Sequence, residues 1–182
     1  TNWGDNGYFY MSYYDTYAGS DVSAFHNAEA TDNYNRIYQY DPLGETSSRG
    51  YGSSTASGAN IFTAAASENL TAVSTYALAP NTSLEIKVYV NVNAGDPLSG
   101  ELKSTKTITL ARGGYHTIKL DTPVALAAGQ RFAVVIKYNT PGYNYPVPVE
   151  APIWNYSSAA NANSGQSYIS QNGSANWFEL SS

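Results

Sequence analysis

At 182 residues, with 13% charged side chains, a net charge of -5 and a pI near 4.8, the chain suits one ordinary domain, or a domain and an arm, with a core that needs no cross-links. The acidic balance leaves no basic footprint for nucleic acid or anionic lipid, and the absence of cysteine excludes disulfides and a thiol nucleophile. No apolar run reaches the roughly 20 residues that span a bilayer, so membrane insertion is not expected.

From the N-terminus, Gly7 to Asp15 places aromatics and one methionine on both parities, Tyr8, Tyr10 and Tyr14 against Phe9, Met11 and Tyr13. As a strand it needs cover on both faces, and left unpaired it is a sticky edge. Thr16 to Asn35 is polar, with Val22 and Phe25 among its few apolar residues, and reads as a connecting arm. Arg36 to Tyr40 is expected to be a strand, Asp41-Pro42-Leu43-Gly44 a turn, and the Ser/Gly-rich Thr46 to Gly58 a surface loop. This divides the chain into residues 1–15, an arm at 16–35 and a main domain at 36–182.

Strands follow throughout the main domain. Ile61-Phe62-Thr63 and Leu70 to Leu78 are two; the clearest puts Leu84, Ile86, Val88, Val90 and Val92 on one face, alternating with Glu85, Lys87, Tyr89 and Asn91. Ile108 and Leu110, then Ile118 and Leu120, flank Gly113-Gly114 and read as a hairpin. Phe132, Val134, Ile136 and Tyr138 continue the pattern after Ala128-Gly129. Tyr168-Ile169-Ser170 and Trp177 to Leu180 form a hairpin about Asn172-Gly173. Helix periodicity is weak everywhere, so the fold class is all-β: an antiparallel, jelly-roll-like β-sandwich with an extended N-terminal arm.

Chemistry-bearing residues are sparse. His26 and His116 have no acidic partner fixed by spacing, and His116 shares the parity of Ile118 and Leu120, which makes it a half-buried strand histidine. Asp96, Asp121 and Glu150 stand singly beside turns or prolines, so no metal site is specified and no cofactor is implied; a structural calcium would have no defined residue set. The 17 tyrosines, set among Asn, Ser, Thr, Ala and Gly, match secreted and cell-surface β-proteins, in which rigid rings supply contact area. Pyranose faces stack on exposed aromatics, and Tyr143, Tyr145, Trp154, Tyr156 and Trp177 lie in loop-like contexts, making them candidate carbohydrate-binding residues. The competing reading has Trp154 and Trp177 capping the sandwich ends as core residues. Sequons at Asn69, Asn81, Asn155 and Asn172 are possible glycosylation positions, each expected on a surface loop.

Trp3-Gly4-Asp5-Asn6-Gly7-Tyr8 resembles the last part of a papain-like cysteine peptidase, in which an Asn-Ser-Trp-Gly precedes a second Trp-Gly-x-x-Gly-Tyr. Only the second half is present. The resemblance implies that the catalytic Cys, His and Asn lie upstream of Thr1 in a longer precursor. His26 follows the motif and so cannot be the base, and the chain itself is expected to be non-catalytic.

A second resemblance covers the main domain. Ile37-Tyr38-Gln39-Tyr40-Asp41-Pro42-Leu43-Gly44, Ala59 to Ala64, Gly114-Tyr115-His116-Thr117-Ile118, Gly129 to Val135, Pro141 to Glu150 and Gly165 to Ser170 are similar to the lectin-like domain that follows papain-family peptidases in archaeal and bacterial surface proteins. Glu45 departs from that pattern, with a charge where an aromatic is expected. The resemblance implies a β-sandwich accessory domain, extracellular or at the cell surface, and no particular ligand; the partner expected from the candidate aromatics is a glycan or cell-surface polymer. An alternative is a structural subunit of an extracellular assembly, held by exchange of the strand that carries Tyr8, Phe9, Tyr10, Met11, Tyr13 and Tyr14. Its partner would be identical subunits or the cleaved peptidase domain.

Overall fold

In a computed structural model, residues 12, 14, 30 and 32–181 are described. Most of the expected strand at residues 7–15 and most of the arm, with five of the six residues named for the assembly strand, lie outside the described residues; Tyr14 lies within them. The chain divides into two units, residues 1–37 and 38–182, and every strand among the described residues belongs to the second.

Ten strands make up this unit: β1 (Ser47–Arg49), β2 (Thr55–Thr63), β3 (Glu68–Ala77), β4 (Thr82–Val90), β5 (Glu101–Leu110), β6 (Gly114–Leu126), β7 (Arg131–Asn139), β8 (Val147–Val149), β9 (Ser167–Ser170) and β10 (Phe178–Glu179). All pairings are antiparallel. A six-stranded sheet runs β10-β9-β2-β7-β4-β5, and β3-β6 and β1-β8 form two-stranded sheets. The protein is an all-β sandwich, and no helix occurs among the described residues.

The core follows from period-two alternation. Leu84, Ile86 and Val88 of β4 are fully buried and meet Phe132, Ile136 and Tyr138 of β7 with Ala56 and Phe62 of β2. Val73 and Ala77 of β3 and Ile118, Leu120, Val124 and Leu126 of β6 complete the same cluster from the opposing sheet. Each large aliphatic side chain so buried contributes about 1.5–3 kcal/mol. The central strands β2 and β7 are apolar on both parities. Their second face, Ala59, Ile61, Ala133 and Val135, carries a smaller cluster with Val92 and Tyr168, partly covered by Tyr89, Leu98 and Trp177.

Several expectations are corrected. Val92 belongs to this second cluster and not to the Leu84–Val90 face, because Asn91 adopts a left-handed φ of 60° that inverts the alternation. Ile108/Leu110 and Ile118/Leu120 do not form a hairpin: β5 pairs with β4 and β6 with β3, so the turn at Gly113-Gly114 carries the chain from one sheet to the other. Apolar residues of one parity on both sides of a turn suit either connection.

Residues 36–40 carry no strand. Tyr38 and Tyr40 are held by their side chains: the Tyr40 ring stacks on Phe62 with centroids 4.7 Å apart and donates its hydroxyl to the Ile61 carbonyl at 2.7 Å. The Tyr38 hydroxyl donates to the Glu68 carboxylate and accepts from the Ala65 amide. Thr46 to Gly58 is not a plain loop, since it contains β1 and the start of β2. Its small residues are there for close packing: a Cβ on Gly58 would lie 2.9 Å from a Val147 methyl. The Asp41–Gly44 turn and the β9-β10 hairpin form as expected.

Candidate ligand-binding cleft

Four separate segments converge at one end of the sandwich. The turn at Asp41–Gly44 is closed by the Gly44 amide donating to the Asp41 carbonyl at 2.9 Å, and Glu150 fastens it by accepting from the Leu43 amide at 3.0 Å. Gly44 has a φ of 76°, and any Cβ there would run into the Tyr76 hydroxyl, so only glycine lets the turn pass over that ring. Glu45 follows directly, and Thr46 then anchors the next segment: its hydroxyl donates to the Ala151 carbonyl at 2.9 Å and accepts from the Ala151 amide at 2.7 Å.

The result is a cleft of about 440 Å³ lined by Glu45, Tyr76, the Ala77–Pro80 turn, Gly113-Gly114 and Tyr143. Tyr115, 60% exposed, leans on Tyr76 with ring centroids 5.1 Å apart and planes tilted by 59°. Tyr143 is held over β1 by a 2.7 Å hydrogen bond between its hydroxyl and that of Ser48. Burial raises the Tyr76 phenol, opposed by a backbone hydrogen bond at Glu45 and reinforced by Tyr115, Asp41 and Glu45. Burial likewise raises the Glu45 carboxyl. At Asp41, burial and the Glu150 charge raise the carboxyl while backbone hydrogen bonds work against the rise.

A second cleft, about 460 Å³, opens at the opposite end, where β2 and β4 finish and β7 begins; Thr63, Asn91, Val92 and Gly129–Arg131 line it. Its amide groups are largely occupied by one another. Gln130 donates to Asn91 Oδ1 at 2.8 Å and accepts from the Ala127 amide at 2.9 Å, which ties the entry of β7 to the exit of β4.

The five aromatics singled out in the sequence do not form one platform. Tyr143 belongs to the first cleft. Tyr145, half exposed, precedes β8, whereas Trp154 and Tyr156 follow it. Trp154 is 84% exposed, and its turn is fixed from below by Ser157, whose buried hydroxyl donates to the Ala151 carbonyl at 2.6 Å and accepts from the Ile153 amide at 2.9 Å. Trp154 therefore does not cap the core. Trp177 does pack, against the second apolar cluster, with its indole N–H buried and without a hydrogen-bond partner.

His116 is half-buried as expected, with Nε2 2.9 Å from the Arg112 carbonyl oxygen. Asn81, Asn155 and Asn172 are exposed in turns, and Asn69 lies on the exposed side of β3 instead of a loop. Among the described residues, no three His, Asp or Glu side chains gather where they could hold a metal ion.

A model of the family described as lectin like domain matches residues 37–182. The chain belongs to that family. The lectin-like domain is also similar to two solved structures of the clostridial cysteine protease Cwp84. One, taken after propeptide cleavage, is 22% identical, with 79% of this chain and 35% of that one covered and a TM-score of 0.61. The other holds the cysteine protease and lectin-like domains of Cwp84, a surface-layer-associated protein of Clostridium difficile. It is 22% identical over 70% of this chain and 28% of that one, with a TM-score of 0.57. At this identity the likeness establishes the fold, and the chain spans about a third of the length of these neighbours. No curated protein matches the sequence.

Sequence reasoning missed Glu45 and Tyr76 as cleft residues of the lectin-like domain, and Tyr115 as the ring that leans on Tyr76. They are far apart in the chain: Tyr76 and Tyr115 meet as partners in the β3-β6 ladder, and Glu45 joins them through the turn whose Gly44 passes over the Tyr76 ring. The one local signal was Glu45 itself, a lone charge directly after the Asp41–Gly44 turn.

Proposed function

We propose that this lectin-like domain is a non-catalytic accessory domain of a papain-like peptidase precursor, extracellular or at the cell surface, that binds carbohydrate or a surface polymer. The observation that carries the binding role is Trp154, an indole held out into solvent on a turn pinned by a buried serine. Large aromatics are usually mostly buried, and a fixed, exposed ring is the surface on which a pyranose face stacks. Tyr156, 64% exposed on the same turn, extends it.

Support for the non-catalytic role comes from the lack of cysteine and from a family match to the lectin-like and not the protease part. The surface location is supported by the description of Cwp84 as surface-layer associated.

The test is a glycan array probed with the folded chain. Saturable binding is expected, weakened at least about tenfold by Trp154→Ala, equivalent to about 1.4 kcal/mol. The melting temperature should hold, because exposed substitutions usually shift stability by no more than about 0.5 kcal/mol. A blank array, or binding indifferent to Trp154→Ala and Tyr156→Ala, would reject the reading.

A further inference from the structure

The cleft at Glu45, Tyr76 and Tyr143 is chemically unlike the Trp154 turn. Its walls are formed by Tyr76, Tyr143 and the apolar Ala77–Pro80 turn, and its one charged lining group is a carboxylate. The ion pairs among the described residues, Lys87 with Glu85, Lys103 with Glu101 and Lys106 with Asp121, leave Glu45 outside them. No hydrogen bond or ion pair of the Glu45 carboxylate occurs among the described residues. Of the nearby arginines, Arg49 is exposed and directs its guanidinium to Ser47 and the Ser48 carbonyl, and Arg112 is exposed and is not among the lining residues.

Tyrosine faces carry negative quadrupole potential and attract cations, most strongly where water is partly excluded. A carboxylate without a counterion, set against such faces, adds attraction of the same sign. Asp41 also acts on the Tyr76 phenol, a second carboxylate beside the ring. An anionic ligand would meet repulsion here, and a neutral one would leave the carboxylate unmatched. The volume, about 440 Å³, is within the range of small-molecule sites.

We propose that this cleft is a subsite for a protonated primary amine carried on a sugar, with the ammonium against Glu45 and the faces of Tyr76 and Tyr143, and the C–H face of the ring along Ala77–Pro80. This rests on the carbohydrate reading for the sugar and on the cleft alone for the amine. It assigns Glu45 a role in choosing between hexosamines with free and with acetylated amino groups. Acetylation removes the charge while leaving the rest of the sugar in place, so the two forms isolate the ammonium's contribution.

The test is calorimetric titration of the full chain with a β-1,4-linked glucosamine tetramer, its fully N-acetylated counterpart and a lysine-containing tripeptide. The free-amine tetramer is expected to bind roughly tenfold tighter than the acetylated one, a ratio in the range of a partly desolvated cation–π contact. Glu45→Gln, nearly isosteric, should bring that ratio to about one, while unchanged circular dichroism shows the fold intact. In nuclear magnetic resonance spectra of the wild type, the Gly113 and Gly114 amides should shift with the free-amine tetramer.

Equal affinity for the two tetramers, or a preference that survives Glu45→Gln, would overturn the subsite. Tighter binding of the tripeptide than of the free-amine tetramer would overturn its assignment to a sugar. If the two tetramers bind equally and both lose affinity in Trp154→Ala, the amine subsite has failed and the lectin reading has not. If the free-amine tetramer binds through Glu45 and Trp154→Ala changes nothing on the array, the reverse holds.

Discussion

Tyr138 shows how one buried hydroxyl sets a limit on stability. Its ring is in the core, and its hydroxyl meets Thr75 Oγ1 at 2.7 Å. Burial pushes the phenol far above the ordinary tyrosine value, against the smaller opposing effect of the Thr75 hydrogen bond. A group whose folded pKa is raised contributes stability fully present below its unfolded value, here about pH 10, and lost as pH climbs toward the folded one. The same sign applies to Tyr40, Tyr51, Tyr76 and Tyr168, all raised mainly by burial. The domain should therefore hold its denaturation midpoint up to about pH 10 and lose stability steeply above it. Tyr138→Phe should cost about 1 kcal/mol at neutral pH and flatten the alkaline limb. Urea titrations at stepped pH check both, and a Tyr138→Phe variant with an unchanged alkaline slope would place the effect elsewhere.

Among the elements, β4 is where sequence and structure agree most closely and then part. Four aliphatic side chains at period two made Leu84–Val90 legible, and the register with β5 and β7 keeps all four inside. Agreement ends at Asn91, whose left-handed backbone turns Val92 to the other face. Asn91→Gly should be tolerated, whereas Asn91→Val should cost at least about 1–2 kcal/mol, the left-handed penalty for a side chain that cannot bond locally. Equal melting temperatures for the two variants would show that the inversion lies elsewhere. Other elements were illegible for identifiable reasons. β1 and the start of β2 lack apolar alternation because Ala56, Ser57 and Gly58 fill tight space with small side chains. The crossing at Gly113-Gly114 looks like a hairpin because both destinations of the chain want the same parity. In β6 the register jumps from Leu70↔Val124 to Ala72↔Lys119 around Pro123, which has no N–H to give the ladder. The cleft was hidden for a related reason: Tyr76 lies in a strand and Glu45 and Gly113-Gly114 at turns, and nothing local to any of them says that they meet Tyr143 at one end of the sandwich.

For the whole molecule, binding and assembly separate by where they place function. Binding through the Trp154 turn and the tyrosine cleft uses residues 38–182 alone. Assembly through residues 7–15 would use the other unit. Removing residues 1–15 should leave glycan binding intact, and it should lower the particle mass in solution only if those residues pair with another copy. Light scattering on both forms decides, with an unchanged mass rejecting exchange. The pairing of Ser47–Arg49 with Val147–Val149 bears on when the domain becomes competent at all. Glu45 and Tyr143 are brought together across that short ladder, whose partners lie about a hundred residues apart in the chain, and contacts of such long span close slowly. During refolding, collapse of the β4-β7 core should run ahead of recovery of the cleft, so ligand binding should lag tyrosine burial in stopped-flow traces. Simultaneous recovery would mean that both form in one step. With the lag, a chain emerging from synthesis is folded before it is sticky, and the interval between those events is set by three residues at each end of a long loop.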